Sequence, residues 1–377
     1  MVSAADCFSR KSGGDAFLFH LGAVDIAAFP FRPDYGVRVE GSPAAFGGEH
    51  IWHGCLCGVE RVKKIAVIGA GAVGLYYGSR LAQAGNEVHF LVRRDFDALK
   101  KSGLSVKSKD GDFRIEKPLV HRKSAEIGDV DWIICALKGT ALDSARELIE
   151  PLAASGARLL VLMNGIGMEE RFSEWFTHEN IFSGIAFTCI NRGDPGVVRH
   201  LDYGAVTVGH FRGEPEKTEE AKALWSGANV EILTTDNILR DRWIKQCWNV
   251  PFSGIGVVYG GKSTRFIMDS PELCSRVENV QREIVGIANA DLRAAGSGET
   301  IDTDETIAKM MESTGQMEDY SSSTVLDFLA GRPMEVDIIF SETVRRARKH
   351  GVAAPNVEAI VAIIEAFQTL KIRGNRV

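Results

Sequence analysis

The chain has 377 residues, of which 45% are hydrophobic and 25% are charged. This is ordinary usage for a folded globular protein, and the length is sufficient for two domains. The formal net charge of −6 offers no electrostatic surface for nucleic acid, and no apolar run reaches the roughly eighteen residues that span a bilayer. Composition therefore argues against DNA, RNA and membranes as partners.

The seven cysteines predict free thiols and no metal site. Cys55 and Cys57 are closer together than the usual zinc-ligand pair, and the later cysteines stand alone along the chain. Isolated cysteines without a disulfide or zinc pattern are typical of a reducing compartment. We therefore expect a cytoplasmic protein that binds no metal.

Residues 1–62 differ from the rest of the chain. Glycine and proline are scattered through them without a sustained period of about 3.6 or 2 residues, so neither a helix nor a strand ladder is indicated. His20 and Asp25 interrupt the apolar run that a secretory signal would need, and no clean cleavage site follows. We expect a poorly ordered extension, or an over-extended gene start with the native chain beginning near Val62.

A strand, a glycine turn and a helix then follow in the order that a dinucleotide-binding domain requires. The β-branched run at residues 63–68 predicts the strand, and VGLYYGSRLAQAG predicts the helix. Gly69 allows the tight bend, Gly71 lets the backbone approach a pyrophosphate, and Gly74 permits close packing of helix on strand. The phosphates are expected at the helix N-terminus. The predicted cofactor-binding turn is Gly69, Ala70, Gly71, Ala72, Val73 and Gly74.

The end of the second strand predicts NADP over NAD. That strand is NEVHFLV, residues 86–92, and Arg93 and Arg94 follow it. NAD sites commonly place an acid here for the ribose 2′-hydroxyl, whereas guanidinium groups pair with the 2′-phosphate of NADP. Asp95 lies one step later, so a solvated cluster of charges is the alternative. We assign Arg93 to NADP(H) binding.

Two further buried strands are predicted in DWIICALKGT and ARLLVLMNGIGMEE, each ending in a polar loop. Ligands in open α/β sheets bind at the carboxyl ends of strands, so Lys138 and Asn164 are candidate contacts, or else ordinary loop residues. Extended segments follow, and a last helix and strand close the domain near Asp236. The prediction is a doubly wound, Rossmann-like α/β domain over residues 63–236.

Residues 237–377 have helical patterns instead. Apolar residues recur three and four positions apart in ILRDRWIKQCWNVPF, in SPELCSRVENVQREIVGIANADLRAAG and in MEVDIIFSETVRRARKHG. We predict an all-α substrate domain whose helices pack internally or pair across a homodimer. In its first helix Lys245 and Asn249 are four residues apart and share a face. A lysine can protonate a carbonyl oxygen during hydride transfer, although a solvated helix face explains the same spacing.

RWIKQCWNVPFSGIGVVYGGKST resembles the signature of the ketopantoate reductase (2-dehydropantoate 2-reductase) family, which places K-x-x-x-N at the start of its helical domain. The resemblance extends to IAVIGAGAVG, to VLMNGIGMEE and to SSSTVLDFLAGRPMEVDIIFSETVRRARKHGVAAPN, and covers about residues 63–370 in the family order. It implies NADPH-dependent reduction of 2-dehydropantoate, a small-molecule 2-oxo acid, to (R)-pantoate in the biosynthesis of pantothenate and coenzyme A.

The resemblance also implies roles for single residues. Lys245 corresponds to the proton donor and Asn249 to a substrate ligand, while Asn164 touches both nicotinamide and substrate. Lys138 is expected along the cofactor. Ser323 matches a substrate-binding serine, and Glu335 matches a glutamate near the cofactor and the catalytic lysine. A buried carboxylate near a lysine favours its charged form, as a proton donor needs at neutral pH. Without the resemblance, Ser323 is a helix N-cap candidate and Glu335 a first-turn acid.

One position departs from the family pattern. Family members carry a second asparagine four residues after the first, where this chain has Ser253. Serine is shorter and offers one donor, so a lost hydrogen bond to substrate would cost about 1–3 kcal/mol. Ser253 stays a predicted substrate-binding residue, with reduction of a different branched 2-oxo acid as the first alternative. A non-catalytic NADP(H)-binding redox sensor is the second alternative.

Overall fold

A computed structural model describes residues 61–153 and 156–374 of the chain. These residues belong to one compact unit. Residues 1–60, which make up almost all of the predicted N-terminal extension and include Cys55 and Cys57, lie outside the described residues. The two alternatives for that extension therefore stay predictions.

One mixed sheet of ten strands forms the centre of the described chain. The strands are β1 (Lys64–Ile68), β2 (Glu87–Leu91), β3 (Leu104–Ser108), β4 (Phe113–Ile115), β5 (Leu119–His121), β6 (Trp132–Cys135), β7 (Arg158–Val161), β8 (Ile181–Arg192), β9 (Val197–His210) and β10 (Ile232–Thr234). Their order is β4-β3-β9-β8-β7-β6-β1-β2-β5, with β10 beside β9. All neighbouring pairs from β8 to β5 are parallel, so the carboxyl ends of β1, β2, β6 and β7 lie at one edge.

Helices cover both faces of the sheet and make up the C-terminal part. The α-helices are α1 (Ala72–Gln83), α2 (Phe96–Ser102), α3 (Ala145–Ala153), α4 (Met168–Ser173), α5 (Pro215–Ala223), α6 (Ile238–Trp248), α7 (Gly254–Val258), α8 (Thr264–Met268), α9 (Pro271–Ala294), α10 (Thr303–Gln316), α11 (Ser323–Leu329), α12 (Glu342–Lys349) and α13 (Pro355–Gly374). Short 3₁₀ helices are Ser124–Glu126, Gly139–Ser144 and His178–Asn180, and two π-helices are Asn249–Ser253 and Asp337–Ser341.

The predicted fold class is confirmed: a Rossmann-like α/β part precedes a helical C-terminal part. The β1–α1–β2 unit and strands β6 and β7 form where the sequence predicts them. The elements α2, β3, β4 and β5 have no counterpart in the sequence prediction. The strands β4 and β5 contain three residues each, none of them buried, so the alternation that marks a half-buried strand is missing.

Two hydrophobic clusters lie on opposite faces of the sheet. Alternate residues of β1 divide between them, with Ile65 and Val67 in one cluster and Ala66 and Ile68 in the other. The second cluster continues into the helical part through residues such as Trp243. The helices therefore pack directly on the sheet and share its core, and the division at residues 236 and 237 into two domains stays a prediction.

Helix α6 starts where the predicted division falls. The side chain of Asn237 accepts a hydrogen bond from the Arg240 N–H at 3.1 Å and caps the helix. The cap fixes the first turn of the helix that carries Lys245. None of the helices in residues 61–153 and 156–374 is long and apolar enough to cross a membrane.

Candidate active site

The glycine turn after β1 contains two glycines that the fold requires, because a larger side chain would clash with neighbouring residues. Gly69 has φ of +100°, and a Cβ atom there would lie 2.6 Å from the backbone of Ala136. A Cβ atom on Gly74 would lie 2.3 Å from the Gly69 carbonyl oxygen and 3.1 Å from a methyl group of Val67. The tight bend and the close packing of α1 on β1 are thus both present.

Gly71 differs from these two because a Cβ atom there would meet no neighbour within 4 Å among the described residues. Gly71 is the N-cap of α1, has no capping side chain, and is followed by no acid in the first helical turn. Exposed N–H groups and the positive end of the helix dipole favour an anion at such a position. The turn, with half-buried Ala70, Ala72 and Val73, fits the phosphates of a dinucleotide.

The two arginines after β2 lie in different surroundings. Arg93 is exposed and takes part in no ion pair among the described residues. Arg94 lies with its Nε 3.5 Å from Asp95 Oδ1, so the alternative of a charge cluster applies to Arg94. Asp95 also forms an ion pair with Arg192 of β8, a residue for which the sequence contains no signal.

Lys245 lies on α6 facing the carboxyl ends of the strands. Its Nζ donates hydrogen bonds to Asn164 Oδ1 and to the Ala186 carbonyl oxygen, each at 2.8 Å. The pKa of Lys245 is lowered from 10.5 to about 7, mainly by burial and also by the nearby Arg242 charge, whereas the Glu335 charge opposes this shift. Glu335 therefore favours the charged form of Lys245, in the predicted direction, but burial outweighs its effect on the pKa.

Asn164 connects Lys245 to the buried carboxylate of Glu335. Glu335 accepts a hydrogen bond from the Gly139 N–H at 2.7 Å, and its carboxylate also hydrogen-bonds the Asn164 side chain. Burial raises the pKa of Glu335, although the Gly139 N–H opposes this change. The loops after β6 and β7 are thereby joined to the helical part, and three predicted site residues form one hydrogen-bonded group.

The π-helix Asp337–Ser341 holds these loops in place. The Ile166 N–H donates to the Ile338 carbonyl oxygen at 3.1 Å. A Cβ atom on Gly165 would lie 2.4 Å from that same oxygen, so only glycine allows the approach. Wider π-helical turns often occur at functional sites, and here the turn begins two residues after Glu335.

Asn249 and Ser253 are the first and last residues of the other π-helix. Asn249 is half-buried, with its Nδ2 3.5 Å from Gln246 Oε1, and Ser253 is only 2% exposed. Helix α6 ends at Trp248, so the predicted continuous helix through Phe252 changes to π-helical geometry at Asn249. Asn249 and Ser253 therefore lie in one π-helical turn that follows the helix of Lys245.

Helix α11 carries Ser323 and faces Lys138. Lys138 Nζ lies 2.5 Å from Asp327 Oδ2, which joins the loop after β6 to α11. Ser323 is exposed and is the first helical residue, whereas Ser322 is the N-cap that accepts from the Val325 N–H. The N-cap alternative for Ser323 is therefore wrong by one residue. The hydrogen bonds of Lys245 within the described chain do not reach Ser323.

A buried ion pair beside Lys245 is the main feature that the sequence does not predict. Arg242 Nε donates to Glu169 Oε1 at 2.8 Å and to Ser183 Oγ at 3.1 Å. Its Nη1 donates to the Met163 carbonyl oxygen at 2.9 Å. Arg242 thus fixes the backbone next to Asn164. In the described residues, no group of three histidine, cysteine, aspartate or glutamate side chains is arranged to hold a metal ion.

Comparison with known proteins identifies the family of the chain. The family profile described as ketopantoate reductase PanE/ApbA matches residues 65–213, and its C-terminal counterpart matches residues 237–368. The 2-dehydropantoate 2-reductase of Nostoc sp. is 31% identical over 304 residues, which cover 79% of this chain and 93% of the relative. The chain belongs to the ketopantoate reductase family. As a member of the ketopantoate reductase family, it is an NADP-dependent oxidoreductase, and the redox-sensor alternative loses its support.

Solved structures show the same fold. The 2-dehydropantoate 2-reductase of Geobacter metallireducens GS-15 has a TM-score of 0.76 and 36% identity, covering 80% of this chain and 99% of that one. D-mandelate dehydrogenase, solved with NADH and anilino(oxo)acetate, has a TM-score of 0.73 and 24% identity, covering 82% and 99%. That likeness concerns the fold alone.

Gly71→Ala and Gly74→Ala form a matched pair of tests for this ketopantoate reductase family member. We expect Gly71→Ala to fold normally but to weaken NADPH binding by about tenfold or more, because its methyl group enters the space assigned to pyrophosphate. Gly74→Ala is expected to destabilise the fold by about 1–3 kcal/mol, because its Cβ overlaps the Gly69 carbonyl. Fluorescence titration with NADPH and thermal melting measure both. Unchanged NADPH affinity in Gly71→Ala would contradict the assignment.

Proposed function

We propose that this chain reduces 2-dehydropantoate to (R)-pantoate with NADPH and that Lys245 is the proton donor. The observation that carries the proposal is the hydrogen-bonded group of Lys245, Asn164 and Glu335 at the carboxyl ends of the strands. When bound, NADPH supplies a hydride to C2 of the oxo acid. The C2 oxygen gains negative charge, and Lys245 Nζ transfers a proton to it.

The surroundings of Lys245 suit this proton transfer. A pKa of about 7 leaves a large fraction of the amine protonated at neutral pH and makes it a stronger acid than an exposed lysine. Asn164 Oδ1 and the Ala186 carbonyl oxygen accept hydrogen bonds from two of its three N–H groups and orient the ammonium group. The third N–H is then available to the substrate oxygen, which is how the chain holds and delivers the proton.

The remaining predicted residues divide between substrate and cofactor. We assign Asn249, Ser253 and Ser323 to the oxo acid, and Lys138 and Glu335 to the cofactor side, as the family resemblance implies. Lys138 is paired with Asp327. A cofactor contact by Lys138 therefore requires this ion pair to open or to be shared.

An assay of NADPH oxidation tests the proposal directly. Purified protein is mixed with NADPH and with 2-dehydropantoate, 2-oxoisovalerate, 2-oxoisocaproate or benzoylformate, and absorbance at the NADPH maximum is followed. We expect the highest kcat/KM with 2-dehydropantoate and (R)-pantoate as the product on a chiral column. Absence of turnover with every acid, in protein that still binds NADPH, would remove the proposal.

A second candidate is reduction of a different branched 2-oxo acid, one less polar than 2-dehydropantoate, which is suggested by Ser253 and by the aromatic residues beside Asn249. Trp248 precedes Asn249, and its ring centroid lies 5.9 Å from that of Tyr320. The Tyr320 hydroxyl hydrogen-bonds the Cys189 sulfur of β8. With Ser253 in place of the family asparagine, this side of the site offers fewer polar partners to a hydroxylated substrate.

Ser253→Asn separates the two candidates. If the native substrate is a less polar acid, the added amide is expected to raise kcat/KM for 2-dehydropantoate by about tenfold, the worth of one recovered hydrogen bond. Ser253→Thr is the control of similar size without the amide, and thermal melting shows whether either variant is folded. No gain with 2-dehydropantoate, in a folded Ser253→Asn variant, contradicts the second candidate.

The homodimer and the cytoplasmic location remain proposals that rest on the sequence. A structural relative is described as a dimeric ketopantoate reductase from Staphylococcus aureus, with 20% identity to this chain. Light scattering of the purified protein would give its mass in solution and so test the dimer.

A further inference from the structure

The loop after β2 contains a buried carboxylate that the proposed reaction does not use. Asp95 is the N-cap position of α2, and its side chain is only 3% exposed. Arg192, at the end of β8, forms an ion pair with one carboxylate oxygen, and Arg94 Nε lies 3.5 Å from the other. The Gly196 backbone N–H also donates to Asp95. Three groups, from the loop after β2, from the end of β8 and from the turn that follows β8, thus hold one aspartate.

The charges around Asp95 keep its carboxyl group ionised. Burial alone would raise the pKa of Asp95, but the Arg192 hydrogen bond and charge, with smaller contributions from Gly196 and Arg94, lower it overall. Asp95 is therefore a carboxylate whose charge is balanced mainly by Arg192. Arg192 is itself three-quarters buried, with a side-chain exposure of 26%.

The position of Asp95 makes this balance relevant to the cofactor. An acid near the end of the second strand is the group with which NAD enzymes bind the ribose 2′-hydroxyl, and a free carboxylate there repels a 2′-phosphate. Arg93, two residues before Asp95, is exposed and unpaired among the described residues. If Asp95 were released from Arg192, Arg93 and Arg94 would be the arginines next to its free carboxylate along the chain.

We propose that Arg192 is a positioning residue that determines the preference for NADP over NAD. Arg192 keeps the Asp95 carboxylate buried and balances its charge. Arg93 then stays available for the 2′-phosphate, because Asp95 does not compete for Arg93. The inference rests on the cofactor class of the family and not on the identity of the oxo acid. A test of binding without any oxo acid therefore keeps its failure separate from failure of the proposed function.

Two small ligands isolate the 2′-phosphate in a binding experiment. Adenosine 2′,5′-bisphosphate and adenosine 5′-monophosphate differ only in that group, and calorimetry gives Kd for each with the full-length protein. We expect Arg192→Met to weaken binding of the bisphosphate by about tenfold and to leave binding of the monophosphate within about twofold, since only the former places charge near Asp95. The selectivity between the ligands falls by the same factor.

Removing the aspartate as well should reverse the effect. In the double variant Arg192→Met/Asp95→Asn, selectivity for the bisphosphate is expected to return to the wild-type value. Asp95→Asn alone is expected to bind the bisphosphate at least as tightly as wild type. The matched control is Arg158→Met, which removes a comparable ion pair, that of Arg158 with Glu220, at the amino end of β7.

Several outcomes would overturn the inference. Unchanged selectivity in folded Arg192→Met would show that Asp95 does not influence the 2′-phosphate. Equal weakening of both ligands together with a lower melting temperature would show that Arg192 only stabilises the fold. If Arg192→Met does not fold, Asp95→Asn still decides the matter, because a loss of bisphosphate binding in that variant would mean that Asp95 supports the 2′-phosphate.

Discussion

Replacing Lys245 with methionine is expected to lower kcat/KM for the oxo acid by about 10²- to 10⁴-fold, the usual contribution of a positioned general acid. Methionine has a similar length, so the packing of α6 is kept while the proton and the charge are lost. Binding of NADPH in the absence of oxo acid is expected to stay within about threefold of wild type, because Lys245 acts on the substrate oxygen.

A control variant accompanies the Lys245→Met measurement. Lys222→Met removes an exposed lysine from α5 and is expected to change neither kcat/KM for the oxo acid nor the binding of NADPH. Steady-state kinetics of NADPH oxidation and fluorescence titration of NADPH measure the two effects separately. Retention of most of the activity in Lys245→Met would mean that another group, or water, supplies the proton.

The pH dependence gives an independent test of the same role. Lys245 has a pKa lowered to about 7, so it is protonated below that pH and loses its proton above it. The kcat/KM for reduction is therefore expected to be constant below pH of about 7 and to fall about tenfold per unit above it, while the reverse oxidation rises with pH. In Lys245→Arg this falling limb is expected to disappear, because arginine keeps its proton. A limb that begins near the ordinary lysine value would contradict the role of burial.

The features that the sequence predicts well are those fixed by neighbouring residues. Gly69 and Gly74 are required by one turn and by the helix that follows it, so the motif alone contains the reason for both. Lys245 and Asn249 are related by helical spacing. The difference in the structure is that α6 ends at Trp248, so Asn249 is the first residue of a π-helix. Local geometry and periodicity are sufficient for such features.

The features that escape prediction depend on side chains that meet across the fold. Arg242 and Glu169 are separated by 73 residues and Arg192 and Asp95 by 97 residues, and no periodicity relates such pairs. The pKa of Lys245 follows from burial, which depends on how the helical part packs against the sheet. The sequence indicates Lys245 and its neighbours. It does not indicate that burial lowers the pKa of Lys245 by more than the charge of Glu335 raises it.

Arg242→Met is the second change with a large expected effect, here on stability. The Arg242 and Glu169 side chains are each 4% exposed, and the guanidinium also binds the backbone of the segment that carries Asn164. Removing the arginine leaves the Glu169 carboxylate buried without its partner. We expect the free energy of unfolding to fall by about 3–5 kcal/mol, the usual cost of breaking a buried ion pair from one side.

Urea denaturation of a short series checks the origin of that loss. Glu169→Gln removes the charge from the other side and is expected to destabilise as well. The double variant Arg242→Met/Glu169→Leu replaces the whole pair with apolar side chains and is expected to regain most of the lost stability, because no unpaired buried charge remains. A stability of Arg242→Met equal to that of wild type would contradict a tight pair.

The two single variants should also move the pH profile in opposite directions. The Arg242 charge lowers the pKa of Lys245, so Arg242→Met is expected to shift the falling limb of kcat/KM above pH of about 7. Glu169→Gln leaves Arg242 without its counter-charge, so the effective positive charge near Lys245 increases and the limb is expected to shift below that pH. A purely structural role for Arg242 predicts no opposite shifts of the falling limb, since a loss of folded protein lowers the activity without moving the pKa of Lys245. Opposite shifts would therefore show that the buried pair sets the acidity of Lys245 as well as fixing the backbone beside Asn164.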